Sequence, residues 1–221
     1  MKRSEINLAL ALARATCAAH LFKLPGWADW NMADHLANPD QSQFLTDRQI
    51  GWDVTDFGSG DFALRGLTLL CLRNGFQGDA TERPYAEKLL FVGENQETPF
   101  HCHKVKLEDI ITRGGGNLMV EFTSLGSIPG WDNPRIDGAP VEPFAGPIRI
   151  TAGASITIPR GLQHRFYGET GHGPVFVAEV SQCNDDRNDN FFLEPLGRFS
   201  TVEEDEPALW PLWNEVNRDD P

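Results

Sequence analysis

Two short segments hold most of the residues in this chain that could do chemistry. The first is His101-Cys102-His103, with Lys106 and Glu108 close behind. Residues i and i+2 of a β-strand point to the same face, so His101 and His103 can turn two imidazoles toward one ion. Glu108 has the wrong parity to join them on an unbroken strand. A turn or bulge between Lys104 and Leu107 is required to bring its carboxylate in from a neighbouring strand. The second segment is Gly153-Ala-Ser-Ile-Thr-Ile-Pro159-Arg-Gly161-Leu-Gln-His164, a glycine turn, a strand, a Pro/Gly turn and then an imidazole. Taken singly, each has an ordinary reading. An HxH on a strand is most often a pair of satisfied core side chains, and a Gly–Pro–Gly–His stretch is usually a hairpin. His20, His35 and His172 stand apart from both segments.

Other polar residues carry weaker signals. Glu179 alternates with Val175 and Val177, so it shares their apolar face. A carboxylate there must be paired or must bind something. Asp185, Asp186, Arg187 and Asp189 form a charged run of the kind that faces solvent. Arg113-Gly114-Gly115-Gly116 lacks the Lys-Ser/Thr of a phosphate-cradling loop and reads as a turn.

These residues must be positioned by a chain of 221 residues, of which 40% are hydrophobic and 23% charged, a balance that suits a folded domain rather than a disordered chain. One compact unit of this size buries about 70% of the surface its unfolded chain exposes, so its core needs no staple. The net charge of −13 repels phosphates and anionic lipid, which opposes nucleic acid and membrane partners. Cys17, Cys71, Cys102 and Cys183 are widely spaced and show no CxxC, as expected of reduced cytosolic thiols. Glu5, Asn7 and Arg14 spoil the resemblance of the first residues to a signal peptide. No run approaches the ~20 apolar residues of a membrane span.

Residues 4–23 read as a helix with Ser4 as N-cap, stopped by Pro25-Gly26. A shorter helical stretch follows near 32–36, and Pro39 with the polar residues behind it marks a loop. From Ile50 onward the punctuation changes to short apolar runs separated by glycine, at 62–72, 88–92, 118–122, 148–158 and 175–180. The 148–158 run alternates with period two and is broken at Gly153. Residues 126–147 contain five prolines, with Asp137-Gly138 as a tight turn. Trp210 and Trp213 near the end are expected to pack back on the body. This pattern predicts a mainly β barrel or sandwich. It divides into an N-terminal helical segment at 1–49 packed on a barrel at 50–221, one domain overall.

Together the two chemical segments resemble the paired motifs of the cupin family. The first motif is HxH, three or four residues, Glu, six residues and glycine, here closed by Gly115. The second, from Gly153 to His164, is matched without a gap. Asn95 replaces a glycine usual six residues before the first histidine, and Gly168 stands at a frequent asparagine. The resemblance implies a cupin β-barrel, a double-stranded β-helix or jelly roll, with an N-terminal helical extension. It also implies one divalent metal held by His101, His103, Glu108 and His164. Three imidazoles and a carboxylate suit Mn2+, Fe2+, Co2+, Ni2+ or Zn2+.

A longer resemblance, to the D-lyxose isomerases, runs through LPGWADW, GWDVTDFGSGDF, RNG, EKLLFVGENQETPFHCHKVKLEDIITRGGGNL and NDDRNDNFF. It implies a Mn2+-preferring, homodimeric, cytoplasmic ketol-isomerase that interconverts D-lyxose and D-xylulose, and D-mannose and D-fructose more slowly. Such a reaction passes through a cis-enediolate. It needs a Lewis acid at the carbonyl and an acid/base pair over C1 and C2. Lys106 is the acid/base nearest the ligands in sequence, its pKa expected to fall beside a dication. Glu194 is its candidate carboxylate partner, Glu179 and Asp189 are candidate sugar ligands, and Phe100, Phe166, Trp52 and Trp131 are candidate pocket walls. Three other classes compete: a phosphosugar isomerase, a dioxygenase and a non-catalytic sugar-binding cupin. The absence of a basic phosphate clamp opposes the first.

Overall fold

A computed structural model describes residues 1–216; the last five residues assigned to the barrel, 217–221, lie outside the described residues. Helix α1 (Arg3–Ala19) leads into a single 3-10 turn (Gly26–Asp29) and then α2 (Met32–Ala37) and α3 (Pro39–Asp47). Strands follow in the order β1 (Gly51–Thr55), β2 (Leu67–Arg73), β3 (Tyr85–Val92), β4 (Glu97–Cys102), β5 (Glu108–Gly115) and β6 (Leu118–Thr123). Then come β7 (Arg135–Ile136), β8 (Ala139–Pro140), β9 (Ile148–Ile150), β10 (Ser155–Ile158), β11 (Gln163–Gly168), β12 (Val175–Gln182) and β13 (Phe191–Phe192).

The strands form two antiparallel sheets. The larger has the order β1-β2-β3-β12-β5-β10-β7-β8, the smaller β13-β4-β11-β6-β9. Leu69, Leu90, Ile110, Val177, Val120, Ile150, Ile156 and Phe166 fill the space between them. The larger sheet is also covered outside. Leu70 and Leu89, opposite each other in register, turn away from the barrel toward Ile6, Leu10, Ala13 and Cys17 of α1. Double burial explains why Leu69, Leu70 and Cys71 of β2 are apolar in succession where a one-sided strand would alternate. Full burial of Ile6 and Leu10 contributes about 1.5–3 kcal/mol each.

Several local expectations are corrected. Helix α1 is capped at Lys2, not Ser4, because Glu5 accepts the Lys2 backbone N–H at 2.8 Å. It stops at Ala19, where Leu21 takes a left-handed φ of +57° and the Phe22 N–H turns back to Cys17 O. The loop expected after Pro39 is α3, since proline at the first helical position supplies a helical φ where no N–H is needed. The 62–72 run yields a strand only from Leu67, the residues before it forming turns. Asp137 and Gly138 make the tight turn between β7 and β8, both at positive φ. Asn95 sits at φ +59°, a conformation that asparagine tolerates, so it serves where a glycine is usual. Trp213 is buried and its backbone N–H donates to Trp52 O at 2.9 Å, while the Arg14 guanidinium lies 4.6 Å over the Trp210 ring. All four cysteines are buried free thiols. Among the described residues, no helix is long and apolar enough to cross a membrane.

Candidate metal centre

At the mouth between the sheets, His101, His103, Glu108 and His164 are all buried, and their ligand atoms lie within 4.8 Å of one another. His101 is on β4, directly opposite His164 of β11 in the same sheet. His103 lies just past the end of β4. The chain then turns and crosses to the facing sheet, where Glu108 opens β5. The required turn is therefore present, but the carboxylate arrives from the opposite sheet rather than from a neighbouring strand.

The imidazoles are oriented by backbone carbonyls. His101 Nδ1 donates to Pro99 O at 2.8 Å, His164 Nδ1 to Leu162 O at 3.0 Å, and His103 Nδ1 to Asp189 O. With the ring proton on Nδ1, each Nε2 keeps a free lone pair. His164 Nε2 stands 3.0 Å, and His103 Nε2 3.6 Å, from Glu108 Oε1. None of these three buried atoms has a hydrogen bond. They meet acceptor to acceptor, an arrangement that a cation among them would relieve. Burial and then Lys106 push the His103 pKa down to about 4; burial, His164 and His103 hold His101 well below the usual histidine range. Burial works to raise the Glu108 pKa, but Lys106 and His103 outweigh it and hold the carboxyl well below its ordinary value. Neutral imidazoles with an ionised carboxylate are the ligand forms a divalent ion requires, so the donor set fits a metal.

Glu108 is shared. Its Oε2 is 2.7 Å from Lys106 Nζ, which also donates to Glu179 Oε1 at 2.8 Å. Burial alone would lower the Lys106 pKa. Glu108 and Glu179 override it and hold the ammonium above its ordinary value. Glu179, on β12, faces Lys88 of β3 in register, with Lys88 Nζ 3.7 Å away, and accepts from Ser181 Oγ at 2.9 Å. Burial raises its pKa, but Lys106 and Lys88 bring it below normal. A charged wall continues beyond it. Lys88 Nζ is 3.8 Å from Asp186 Oδ1, Asp186 Oδ2 is 3.2 Å from Arg198 Nη2, and that nitrogen donates to Asp53 Oδ2 at 2.8 Å. Phe57, Leu67, Leu69, Leu90, Phe166 and Phe192 form the apolar side of a cavity of about 40 Å³.

The other expected site residues divide. Lys106 and Glu179 join the cluster, and Phe166 lines its cavity. Glu194 is a correction: it lies beyond the end of β13, at the surface, with both carboxylate oxygens on Arg65 at 2.9 and 3.0 Å. Asp189 is buried but committed to the chain, accepting the backbone N–H groups of Lys104, Val105 and Lys106. It shapes the turn that carries Lys106, and no lone pair is left clearly free for a sugar. Asp186, read as solvent-facing, is buried because Arg198 and Lys88 compensate its charge. Phe100, Trp52 and Trp131 do not line the cavity. Lys88, Asp186 and Arg198 escaped the sequence reading. Lys88 carried the same signal as Glu179, a charge in step with the inward Leu90 and Val92; Arg198 carried none.

The D-lyxose isomerase family profile matches residues 1–216. Two D-lyxose/D-mannose isomerases, from Escherichia coli O157:H7 and Serratia proteamaculans, are each 43% identical to this chain over 99% of both sequences. The chain belongs to the D-lyxose isomerase family. It is a sugar isomerase, and the cluster described above lies in its barrel. The fold is shared with the L-ribose isomerase of Cellulomonas parahominis solved with L-psicose, at TM-score 0.65 and 16% identity over 92% of this chain and 98% of that one. It is also shared with the L-ribose isomerase of Acinetobacter sp. DL28 in complex with L-ribose, at TM-score 0.63 and 15% identity, with the same coverage. The cupin-like barrel with an N-terminal helix is thus the architecture of this isomerase.

Proposed function

We propose that this isomerase interconverts D-lyxose and D-xylulose, and D-mannose and D-fructose more slowly, with one divalent ion per chain held by His101, His103, Glu108 and His164. Mn2+ is the preferred ion, and the enzyme works as a cytoplasmic homodimer. The observation that carries the reading is the meeting of His103 Nε2, His164 Nε2 and Glu108 Oε1 with no hydrogen bond made by any of them, beside a Lys106–Glu179 pair. When bound, the ion supplies Lewis acidity at the sugar oxygens.

The chain's own groups account for the proton movements. Glu179 is ionised at neutral pH because Lys106 and Lys88 outweigh its burial, so it takes the proton from C2 of the open-chain aldose. Lys106, an ammonium between two carboxylates, gives a proton to O1 as that oxygen becomes part of the enediol. Glu179 then returns its proton to C1, and Lys106 recovers one from O2, which leaves the ketose with both groups restored. The apolar side of the cavity, from Phe57 to Phe192, excludes water and strengthens these charged contacts.

Incubating Mn2+-reconstituted protein with a panel of pentoses and hexoses tests the reading. D-Xylulose from D-lyxose, faster than D-fructose from D-mannose, is the expected product; no ketose from any sugar refutes it.

A further inference from the structure

Strand β4 is bulged just before its first histidine. On β11, His164 and Phe166 are two residues apart, whereas their partners on β4, His101 and Thr98, are three apart. The extra residue falls at Pro99-Phe100, and Pro99 has no N–H to give to a ladder. On a regular strand Thr98 would have the opposite parity to His101 and would face outward. The bulge turns it in. Thr98 is 3% exposed and lines the same cavity as His101 and His103. Phe100 is turned out instead, with the Arg165 guanidinium 4.9 Å from its ring centroid.

Inside, Thr98 Oγ1 has no hydrogen-bond partner. Its surroundings do not call for a hydroxyl. It pairs with Phe166, and Leu67 and Leu69 share the cavity wall, so valine would fill the same shape without burying an unpaired polar group. We infer that Thr98 hydrogen-bonds the terminal C5 hydroxyl of the sugar, and so senses the end of the chain remote from the reacting carbons. This rests on the isomerase reading above, in which C1 and C2 lie at the Lys106–Glu179 end. Because the bulge sets these three residues of β4 against two of β11, Thr98 lies only roughly 7 Å along the sheet from His101, at about 3.3 Å per strand residue. An open-chain pentose held at C1 and C2 reaches that distance with its last carbon and hydroxyl.

The test compares D-lyxose with 5-deoxy-D-lyxose on metal-loaded wild type, Thr98→Val and Thr98→Ser. Thr98→Val keeps its metal content and melting behaviour and raises KM for D-lyxose about three- to tenfold, with kcat changed less than about twofold. Wild type shows a similar rise in KM on the deoxy sugar, Thr98→Val shows no further rise on it, and Thr98→Ser restores the wild-type KM for D-lyxose. Unchanged KM in Thr98→Val, or equal losses on both sugars, overturns the contact alone. A wild type that shows no preference for D-lyxose over the deoxy sugar overturns it without recourse to any variant. Absence of ketose from wild type with D-lyxose overturns the isomerase reading, and this contact with it.

Discussion

Lys106 Nζ donates to Glu179 Oε1 at 2.8 Å across 73 residues of sequence, joining the turn after β4 to the middle of β12. Both groups are buried, and the pair shares its charge with Glu108. If Glu179 carries the substrate proton and Lys106 serves the oxygens, Glu179→Gln lowers kcat by about 10²–10⁴-fold while KM changes little. Lys106→Met does the same, and it also leaves Glu108 and Glu179 without their shared cation. The metal-free form of that variant is therefore destabilised by about 3–5 kcal/mol. Steady-state kinetics with metal analysis checks both, and wild-type kcat in Glu179→Gln returns that residue to a structural role.

The four candidate metal ligands come from both sheets. Elemental analysis of the purified protein is expected to give one divalent ion per chain, lost with activity on EDTA treatment and restored with Mn2+. His164→Ala lowers occupancy without unfolding the barrel, because His164 lies at the sheet mouth while Leu69, Leu90 and Ile156 hold the core. Full activity in a metal-free protein contradicts the ligand assignment.

The candidate ligand set was legible through its resemblance to the paired cupin motifs; the strand period of two by itself put only His101 and His103 on one face, and Glu108, at the wrong parity, needed the turn after His103. Glu179 was legible for a related reason, since a charge in step with buried valines has to be compensated. Lys88 obeys the same rule and was passed over because its run, Lys88-Leu-Leu-Phe-Val, is buried on both faces and hides its own alternation. Thr98 was out of reach of any parity count, because the bulge at Pro99-Phe100 reverses it. Glu194 looked as eligible as Glu179, but the two-residue strand β13 ends before it and leaves Glu194 beside Arg65. Glu194→Gln is accordingly expected to leave kcat within about twofold of wild type, a surface ion pair of this kind being worth at most about 1 kcal/mol.

Stability toward acid is expected to depend on Asp186. Burial alone would raise its pKa, but Arg198 and Lys88 hold the carboxyl well below the usual range. A carboxyl depressed in the folded state adds stability above its unfolded pKa of about 3.9 and loses it as pH falls below that value. Asp186→Asn is therefore about 3–5 kcal/mol less stable than wild type at pH 7, since Arg198 and Lys88 lose a buried counter-charge. The gap narrows as pH is lowered toward 3. Urea denaturation of both metal-free proteins at pH 7, 5 and 3.5 measures it, and a gap constant with pH excludes Asp186 as the titrating group.

The route of the hydrogen separates proton transfer from a hydride shift. A proton taken from C2 by Glu179 sits 2.8 Å from the Lys106 ammonium, whose own hydrogens come from solvent between turnovers. Scrambling between the two groups places solvent hydrogen on C1 of the product. This exchange competes with direct return of the same proton to C1, so it falls short of one atom per turnover. In deuterated water, D-xylulose formed from D-lyxose is expected to carry partial deuterium at C1, read by NMR before the reaction reaches equilibrium. Lys106→Met, which removes the exchanging ammonium, lowers that fraction along with the rate. Product wholly free of deuterium in wild type would mean that hydrogen passes directly from C2 to C1, and Glu179 would then hold the sugar rather than its proton.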